Sequence, residues 1–275
     1  MSHSSTQPFV KWAGGKRQLL EKLRSRMPSA CKKYYEPFVG GGALLFDSKP
    51  EQAFINDINR ELMHTYEAIR DSRDEFISRM EEMDRVTCTK EFYYKTRGRY
   101  NEKLSGGEYD VEMAVLFVYL NKHCFNGLYR VNAKGLFNVP WNQKISGKSI
   151  DIENIKGVSY YLQNVTITCQ DFETALEGAE AQDFIYLDSP YAPLNPTSFE
   201  AYTKEGFTIE EHRRLAEVFR RLTDKGCYCM LTNHNTELIH ELYDGFFMEE
   251  IDVRRAINSN ASKRVGKELI IRNYR

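Results

Sequence analysis

The sequence predicts an α/β protein with a Rossmann-like fold and an inserted, mainly helical domain. Extended apolar segments alternate with helical patterns at both ends of the chain, which is typical of β-α-β units. A run of three glycines follows the first of these segments, where such folds turn from a strand into a helix. The pattern is interrupted in the middle, so we expect an α/β domain over residues 1–58 and 151–275 and a second domain over residues 59–150.

The first β-α-β unit lies near the start of the chain. The extended segment YYEPFV leads into GGGALLF, and AFIND follows as a second strand that ends at Asp57. Beyond it, Leu62, Tyr66 and Ile69 have helical spacing between Asn59 and Met83. A long mixed region then continues to about Ile150, and we expect it to belong to the inserted domain.

The strand pattern returns in the second half of the chain. Five further strands are predicted at NVTITCQDF, DFIYLDSPY, GCYCMLTN, FMEEIDVRR and ELIIRNYR. Between two of them, Thr208 and Glu211 have the spacing of a capping box and Gly226 stands at the expected end of a helix. The apolar stripe of that helix is Leu215, Val218, Phe219 and Leu222.

The composition describes a soluble globular protein without naming its function. Hydrophobic residues make up 41% of the 275 residues and charged residues 28%. No apolar stretch reaches the roughly 18 residues of a membrane span, and the first residues lack the core of a signal peptide, so we expect a cytoplasmic protein. The six cysteines include no C-x-x-C pair and no histidine at metal spacing, so we predict reduced packing residues and no metal site.

The distribution of charge is more informative than the net charge of −1. A neutral balance argues weakly against nucleic acid as a partner. However, the first twenty residues, Met113–Ile150 and Val253–Lys267 contain basic residues and no Asp or Glu. Three such windows predict one basic face, which suits a nucleic acid.

Two motifs near the start of the chain predict a ligand site. In KWAGGK, the two glycines let the backbone approach a ligand, Trp12 offers a flat apolar wall and Lys16 can pair with a carboxylate. In EPFVGGG, the glycines follow a strand, as in folds that bind a nucleotide-like ligand. Asp57 ends the next strand, where a carboxylate can accept both ribose hydroxyls. The pattern G-x-G-x-x-G is not satisfied, because Leu45 occupies the last glycine position, so the identity of the nucleoside stays open.

The tetrapeptide from Asp188 to Tyr191 predicts the chemistry. It follows the buried strand FIYL, so it emerges at the same sheet edge as the glycine turn. Asp188 can accept a hydrogen bond from an amino group, and Tyr191 can stack on a base. Methylation of an amine needs this pairing, because a delocalised amino nitrogen is a poor nucleophile and positive charge develops as it attacks.

Taken together, KWAGGK, EPFVGGG, IND, FNGLYRVN, FNVPW and DSPYAPL resemble the DNA adenine methyltransferase family, and in particular its GATC-methylating members. The resemblance spans nearly the whole chain. It implies a Rossmann-like S-adenosylmethionine-dependent methyltransferase fold with an inserted DNA-recognition domain, S-adenosylmethionine as cofactor, and duplex DNA as substrate. It also implies base flipping, a bacterial or phage-encoded protein, and a location at the nucleoid in the cytoplasm. A cognate restriction endonuclease that acts on the same site stays open.

The same resemblance assigns roles by position. The catalytic residues would be Asp188, Ser189, Pro190 and Tyr191. The residues in contact with the cofactor would be Trp12, Lys16, Glu36, Phe38, Gly40, Gly42, Asp57, Asp171, Phe172 and Asp188. The DNA-binding residues would be Lys11, Phe125, Asn126, Leu128, Arg130, Asn138 and Pro140, with Phe125 and Asn126 at the gap left by the flipped base.

The chemistry of the DNA-binding set agrees with these roles. Arg130 can make two hydrogen bonds to a guanine, while Leu128 and Pro140 suit the methyl groups of thymines.

One position departs from the family pattern, which has proline where this chain has Ser189. The family uses mainly the backbone carbonyl of that residue, which serine retains. Pro190 also restricts Ser189 to extended conformations. We therefore expect an active enzyme with turnover equal to or below that of the family.

Three alternatives remain at this point. The chain could methylate a protein glutamine, an RNA or a DNA cytosine, since such enzymes use similar tetrapeptides. It could be a DNA-binding homologue whose catalysis Ser189 has weakened. A nicotinamide oxidoreductase is disfavoured by the broken glycine pattern and by the absence of a plausible hydride-site histidine.

Overall fold

The computed structural model describes residues 6–12, 14, 16, 18–194, 206–254 and 265–275. The chain forms two compact units. The first consists of Met1–Arg17, Val39–Lys49 and Asp57–Cys169, and the second of Gln18–Phe38, Pro50–Asn56 and Gln170–Arg275. Residues 59–150 lie in the first unit, and their role as a separate recognition domain stays a prediction.

The described residues contain both helices and strands. The α-helices are α1 (Leu20–Arg24), α2 (Ala43–Ser48), α3 (Arg60–Asp71), α4 (Arg73–Asp84), α5 (Lys90–Gly106), α6 (Val111–His123), α7 (Ile152–Leu162), α8 (Phe172–Ala175), α9 (Ile209–Asp224) and α10 (Glu237–Leu242). The strands are β1 (Tyr34–Glu36), β2 (Ala53–Asn56), β3 (Val165–Thr168), β4 (Phe184–Leu187), β5 (Tyr228–His234), β6 (Phe247–Arg254) and β7 (Val265–Arg272). Strands β1, β2, β3, β4 and β6 lie within segments that the sequence predicts. Strand β5 runs one residue beyond its predicted segment, to His234, and β7 begins three residues earlier than predicted, at Val265, where it pairs with β6. The Rossmann-like α/β fold is confirmed.

Six strands of the sheet belong to the second unit, in the order β2-β1-β4-β5-β7-β6. The pairs β1–β2, β1–β4 and β4–β5 are parallel, whereas β5–β7 and β6–β7 are antiparallel. The carboxyl ends of β1, β2, β4 and β5 therefore lie at one edge of the sheet. Ligands of open α/β sheets bind at that edge. The tetrapeptide that begins at Asp188 follows β4 directly and therefore starts at the same edge.

The core of the second unit explains why these segments are strands. All four residues of β4 are buried, as expected for a parallel strand covered on both faces. Helix α9 packs against β5 through the predicted apolar stripe. The hydroxyl of Thr208 caps α9 by accepting a hydrogen bond from the backbone N–H of Glu211 at 3.2 Å, and Gly226 follows with φ +85°. The Thr208 cap and the glycine stop are thus confirmed, while the Glu211 carboxylate accepts from Arg214 at 2.6 Å.

The first unit is built mainly from helices. Helix α6 is its centre, because every residue from Met113 to Asn121 is buried and α6 packs against α3, α4 and α5. The helical spacing predicted over Asn59–Met83 corresponds to two helices. The helix breaks at Ser72, whose φ of −132° and ψ of 38° lie outside the helical region.

The described part of the chain has neither a membrane-spanning helix nor a metal-binding cluster. None of its helices combines the length and the apolar character needed to span a membrane. Among the same residues, no group of three or more His, Cys, Asp or Glu side chains is arranged to hold a metal ion.

His212, in the first turn of α9, makes the stability of the fold depend on pH. Its side chain is 2% exposed, and burial lowers its pKa from 6.5 to about 4. The unfolded chain therefore takes up a proton at a higher pH than the folded chain does. This contribution to stability is complete above pH 6.5 and is lost as the pH falls towards 4, with a maximum loss of about 3 kcal/mol.

Melting temperatures measured across this range check the effect. We expect the His212→Leu variant to show a flatter pH profile than the wild type, and the His240→Leu variant, altered at an exposed histidine, to follow the wild type. Equal slopes in all three proteins would contradict the assignment to His212.

Candidate active site

Asp188 is the first residue after β4, and its carboxylate is held from the neighbouring strand. The hydroxyl of Thr232 in β5 donates a hydrogen bond to Asp188 Oδ1 at 2.7 Å. The hydroxyl of Tyr186 lies 3.4 Å from Thr232 Oγ1. Because Thr232 has one hydroxyl hydrogen and gives it to Asp188, Tyr186 is the donor in this second contact. A buried chain of two hydroxyls thus fixes the orientation of the carboxylate.

The other end of the tetrapeptide is held by the next two residues of β5. Asn233 Oδ1 accepts a hydrogen bond from the backbone N–H of Ala192 at 2.8 Å. The Ala192 carbonyl lies 2.7 Å from His234 Nδ1, and since a carbonyl only accepts, Nδ1 carries the proton. Thr232, Asn233 and His234 together fix the loop at both ends, which restricts how far Asp188 can move.

Tyr191 has its ring position set by two further residues. Its hydroxyl donates to Glu268 Oε2 at 2.9 Å, and its ring packs edge-on against His234 with centroids 4.8 Å apart. Burial raises the pKa of Tyr191 well above 10, and the charges of Asp188 and Glu268 add to this. The phenol therefore stays protonated and keeps its hydrogen bond.

The residues that hold the tetrapeptide were missed in the sequence. Thr232, Asn233, His234 and Glu268 lie 41 to 77 residues beyond the groups that they contact. One available signal was the polar run TNH directly after the apolar CML, at the end of a predicted strand.

An aromatic pair lies beside the tetrapeptide's strand in the second unit. Phe38 and Phe172 have ring centroids 5.3 Å apart. The guanidinium of Arg214 lies 4.3 Å from the centre of Phe172 and makes two hydrogen bonds to Asp171, at 2.6 and 3.0 Å. This pairing lowers the pKa of Asp171. Asp171 also accepts from the backbone N–H of Glu173, so its carboxylate caps α8.

Glu36 ends β1 as a buried carboxylate. The hydroxyl of Tyr34 donates to Glu36 Oε2 at 2.7 Å. Its predicted contact with the cofactor stays a prediction.

In the first unit, Asp57 organises the glycine loop. Its Oδ2 accepts from the backbone N–H of Gly40 at 3.1 Å, and its Oδ1 accepts from the N–H of Asn59 at 2.9 Å. Burial raises the pKa of Asp57. A carboxylate has about four lone-pair sites, so some acceptor capacity remains beyond the backbone N–H groups of Gly40, Ile58 and Asn59.

The glycine loop requires glycine for steric reasons. Gly40 has φ +49°, and a Cβ there would lie 2.6 Å from Cδ1 of Trp12. Gly42 has φ +69°, and a Cβ there would lie 2.7 Å from the hydroxyl of Tyr66. Tyr66 in turn donates to the Gly40 carbonyl at 3.0 Å. Trp12 therefore lies directly against the loop, and its predicted role as an apolar wall for a ligand stays a prediction.

Lys16 is buried, although lysine is a charged residue. Its Nζ donates to the Gly14 carbonyl at 2.8 Å, within the same KWAGGK motif. The expected pairing with a carboxylate stays a prediction.

Six of the seven predicted DNA-binding residues lie on two segments of the first unit, residues 125–130 and 138–140, and Lys11 lies on a third. Phe125–Gly127 forms a 3-10 turn in which Asn126 has φ 55°, a conformation that asparagine tolerates. Phe125 is 52% exposed and Leu128 40% exposed, so two large apolar side chains at this turn are accessible to a ligand. The N–H of Phe125 donates to the Pro140 carbonyl at 2.8 Å, so the two segments are joined.

Arg130 and Asn138 face each other across a hairpin. Arg130 Nε donates to Asn138 Oδ1 at 2.7 Å, and the Asn138 N–H donates to the Arg130 carbonyl at 3.1 Å. Because Nε is engaged by Asn138, the terminal edge of the guanidinium is the part suited to a guanine.

Comparisons with known proteins agree on one family. Residues 12–257 match the profile of the D12 class N6 adenine-specific DNA methyltransferases. The chain is 41% identical to the type II methyltransferase M.MjaIII of Methanocaldococcus jannaschii, with 98% of this chain and 99% of that protein covered. It is 40% identical to the type II methyltransferase M1.LlaDCHI of Lactococcus lactis subsp. cremoris, covering 98% of this chain and 95% of that protein. It is also 31% identical to the DNA adenine methylase of Escherichia coli K12, over 97% of this chain and 95% of that protein.

Proposed function

Because the chain belongs to the D12 class N6 adenine-specific DNA methyltransferases, we propose that it methylates N6 of an adenine flipped out of a GATC site in duplex DNA, with S-adenosylmethionine as methyl donor. The resemblance to GATC-methylating enzymes supports the site and the flipping step. The observation that carries the proposed mechanism is the Asp188 carboxylate, fixed by the Thr232 hydroxyl at the carboxyl end of β4.

The residues present fit S-adenosylmethionine. Gly40 and Gly42 let the backbone approach a ligand closely, and the Asp57 carboxylate has acceptor capacity suited to ribose hydroxyls. Phe38 is partly buried beside Phe172 and offers an apolar ring surface. When bound, the cofactor supplies an electrophilic methyl group on a sulfonium sulfur. The proposed contacts are those implied by the resemblance, namely Trp12, Lys16, Glu36, Phe38, Gly40, Gly42, Asp57, Asp171, Phe172 and Asp188.

The protein's own groups then act on the adenine. Asp188 accepts a hydrogen bond from the amino group and stabilises the positive charge that develops on nitrogen. The Ser189 carbonyl accepts the second amino hydrogen, and the ring of Tyr191 stacks on the base. Because these groups are held before the base arrives, little reorganisation is needed in the transition state.

DNA binding is proposed for the segments of the first unit. Phe125 and Asn126 would stabilise the gap in the duplex, and Lys11, Leu128, Arg130, Asn138 and Pro140 would contact the site. The exposed apolar Phe125 and Leu128 support this role, since they suit contact with bases and thymine methyl groups.

Transfer of labelled methyl groups to synthetic duplexes tests the proposal. We expect N6-methyladenine in a GATC duplex, and little in duplexes with one changed base pair. The same assay is run with RNA and with protein as acceptors, and label in either would identify another substrate. DNA binding without transfer would identify a DNA-binding homologue with weakened catalysis.

The names of the relatives bear on the biological setting. Two are type II methyltransferases and one is a DNA adenine methylase. The name type II methyltransferase favours a cognate restriction endonuclease as partner, whereas the name DNA adenine methylase includes no partner. Mapping of N6-methyladenine in a host that expresses the protein, followed by digestion with endonucleases, distinguishes the two settings.

Ser189 offers a test of the departure from the family pattern. Its hydroxyl is buried and has no hydrogen-bond partner among the described residues, so the Ser189→Pro variant loses no bond made by that hydroxyl. Proline keeps the carbonyl and fixes φ near −65°. We expect a gain in stability of about 0.4–1 kcal/mol, with turnover equal to or above the wild type. Melting temperatures and single-turnover methylation measure the two effects.

The matched control is the Ser189→Ala variant, which removes the hydroxyl without restricting the backbone. A gain in Ser189→Pro but not in Ser189→Ala assigns the effect to the ring. Slower chemistry in a less stable Ser189→Pro protein would show that this backbone does not accept proline.

A further inference from the structure

Asn121 is a buried amide that joins two distant segments of the first unit. It lies near the end of α6 and is 3% exposed. Its Oδ1 accepts from the backbone N–H of Lys11 at 2.8 Å, and its Nδ2 donates to the carbonyls of Lys11 at 2.8 Å and of Gly127 at 3.1 Å. The side chain thus fixes both backbone groups of Lys11 and the end of the 3-10 turn at Phe125–Gly127.

Close packing reinforces this link. Gly127 has φ +66°, and a Cβ there would lie 2.5 Å from Cβ of Lys11. The turn and Lys11 can therefore approach each other only because residue 127 is glycine. The turn that presents Phe125 and Asn126 consequently moves together with Lys11.

Trp12 extends the link to the glycine loop. It follows Lys11 directly and packs against Gly40 and Gly41, where added Cβ atoms would lie 2.6 and 3.4 Å from its side chain. On the other side its ring stacks on Tyr129, with centroids 5.9 Å apart and an interplanar angle of 23°. One short segment thus contacts both the proposed cofactor loop and the residue that precedes Arg130.

We propose that Asn121 is a positioning residue that couples binding of the cofactor to recognition of the target base. This inference rests on the proposed function. A cofactor that orders the glycine loop also orders Trp12 and Lys11, and Asn121 transmits that order to the turn at Phe125–Gly127. The coupling is reciprocal, because each ligand must raise the affinity for the other by the same factor.

The coupling factor is measured as a ratio of two dissociation constants. A fluorescent GATC duplex is titrated with the full-length protein, once without cofactor and once with saturating S-adenosylhomocysteine, which cannot react. We expect the wild-type ratio to lie within the range of about 5- to 150-fold that is typical of coupled sites. In Asn121→Ala the ratio should fall to within twofold of one, and S-adenosylhomocysteine should still bind.

Asn154 provides a matched control on the same unit. Its side chain also accepts from a backbone N–H and donates to the carbonyl of the same residue, Gln7, at 2.8 and 3.0 Å. Asn154→Ala removes an equivalent pair of bonds, but at Gln7, which lies four residues before Lys11. We expect this variant to keep the wild-type ratio of dissociation constants. Asn121→Asp is a second test variant, because it keeps the bond from the Lys11 N–H and loses both donated bonds.

The outcomes separate this inference from the proposed function. A wild-type ratio within twofold of one in a protein that methylates GATC overturns the inference and leaves the function intact. The same holds if either folded Asn121 variant keeps the full ratio, or if Asn154→Ala loses it equally. Failure of the wild type to bind S-adenosylhomocysteine or to transfer methyl groups would instead overturn the proposed function.

Discussion

The Asp188→Ala variant is expected to lose methyl transfer while it binds GATC duplexes with near wild-type affinity. The carboxylate acts on the amino group of the flipped base and on charge that appears only in the transition state. Its removal should raise the barrier by at least about 2.7 kcal/mol, by analogy with the loss of one oxyanion donor, and slow turnover roughly 100-fold. Single-turnover methylation and DNA-binding titrations measure the two properties separately.

Asp183 supplies the control for this experiment. It lies just before β4, at the opposite end of the strand from Asp188, and accepts backbone N–H groups from Lys33 and Glu180 at 3.1 and 2.9 Å. We expect Asp183→Asn to lower the melting temperature and to leave single-turnover rates close to wild type. Asp188→Asn should follow Asp188→Ala, because an amide cannot stabilise the developing charge as a carboxylate does. Turnover of Asp188→Ala within tenfold of wild type would contradict the catalytic assignment.

The Arg130→Ala variant is expected to relax sequence discrimination at one guanine of the site. The guanidinium is oriented by Asn138 at 2.7 Å, which favours use of its terminal edge on a base. A bidentate contact of this kind is worth roughly 1–3 kcal/mol of discrimination. Methylation rates on GATC and on duplexes with single substitutions should therefore become more similar at that position alone.

The Lys134→Ala variant is the control that distinguishes the loss of a positive charge from the loss of sequence specificity. Lys134 is an exposed cation at the tip of the same hairpin. We expect Lys134→Ala to change the affinity for all duplexes by the same factor, which leaves the discrimination between them unchanged. A uniform fall across all duplexes in Arg130→Ala would identify Arg130 as a phosphate contact.

The placement of Asp171 shows where inference from the sequence needed the structure. The resemblance implies that Asp171 contacts the cofactor, and the structure adds that its carboxylate is paired with Arg214, 43 residues later in the chain. The residues around Asp171 do not indicate this partner. Arg214 is one of several arginines on α9, and the sequence does not distinguish it from the others. The predicted role of Asp171 therefore depends on a neighbour that the sequence does not identify.

The sequence by itself determined the strands, the capped helix α9, the glycine loop and the tetrapeptide after β4. Each of these depends on residues close together in the chain, namely an apolar period, a cap or a turn residue. Only the tertiary structure decided which side chains hold the tetrapeptide and the turn at Phe125–Gly127. The order β4-β5-β7 brings Thr232 to Asp188 and Glu268 to Tyr191, and the fold of the first unit brings Asn121 to Lys11. These partners are 44 to 110 residues apart, so no local pattern could specify them; they meet because burial of the apolar strands and of α6 fixes which segments become neighbours.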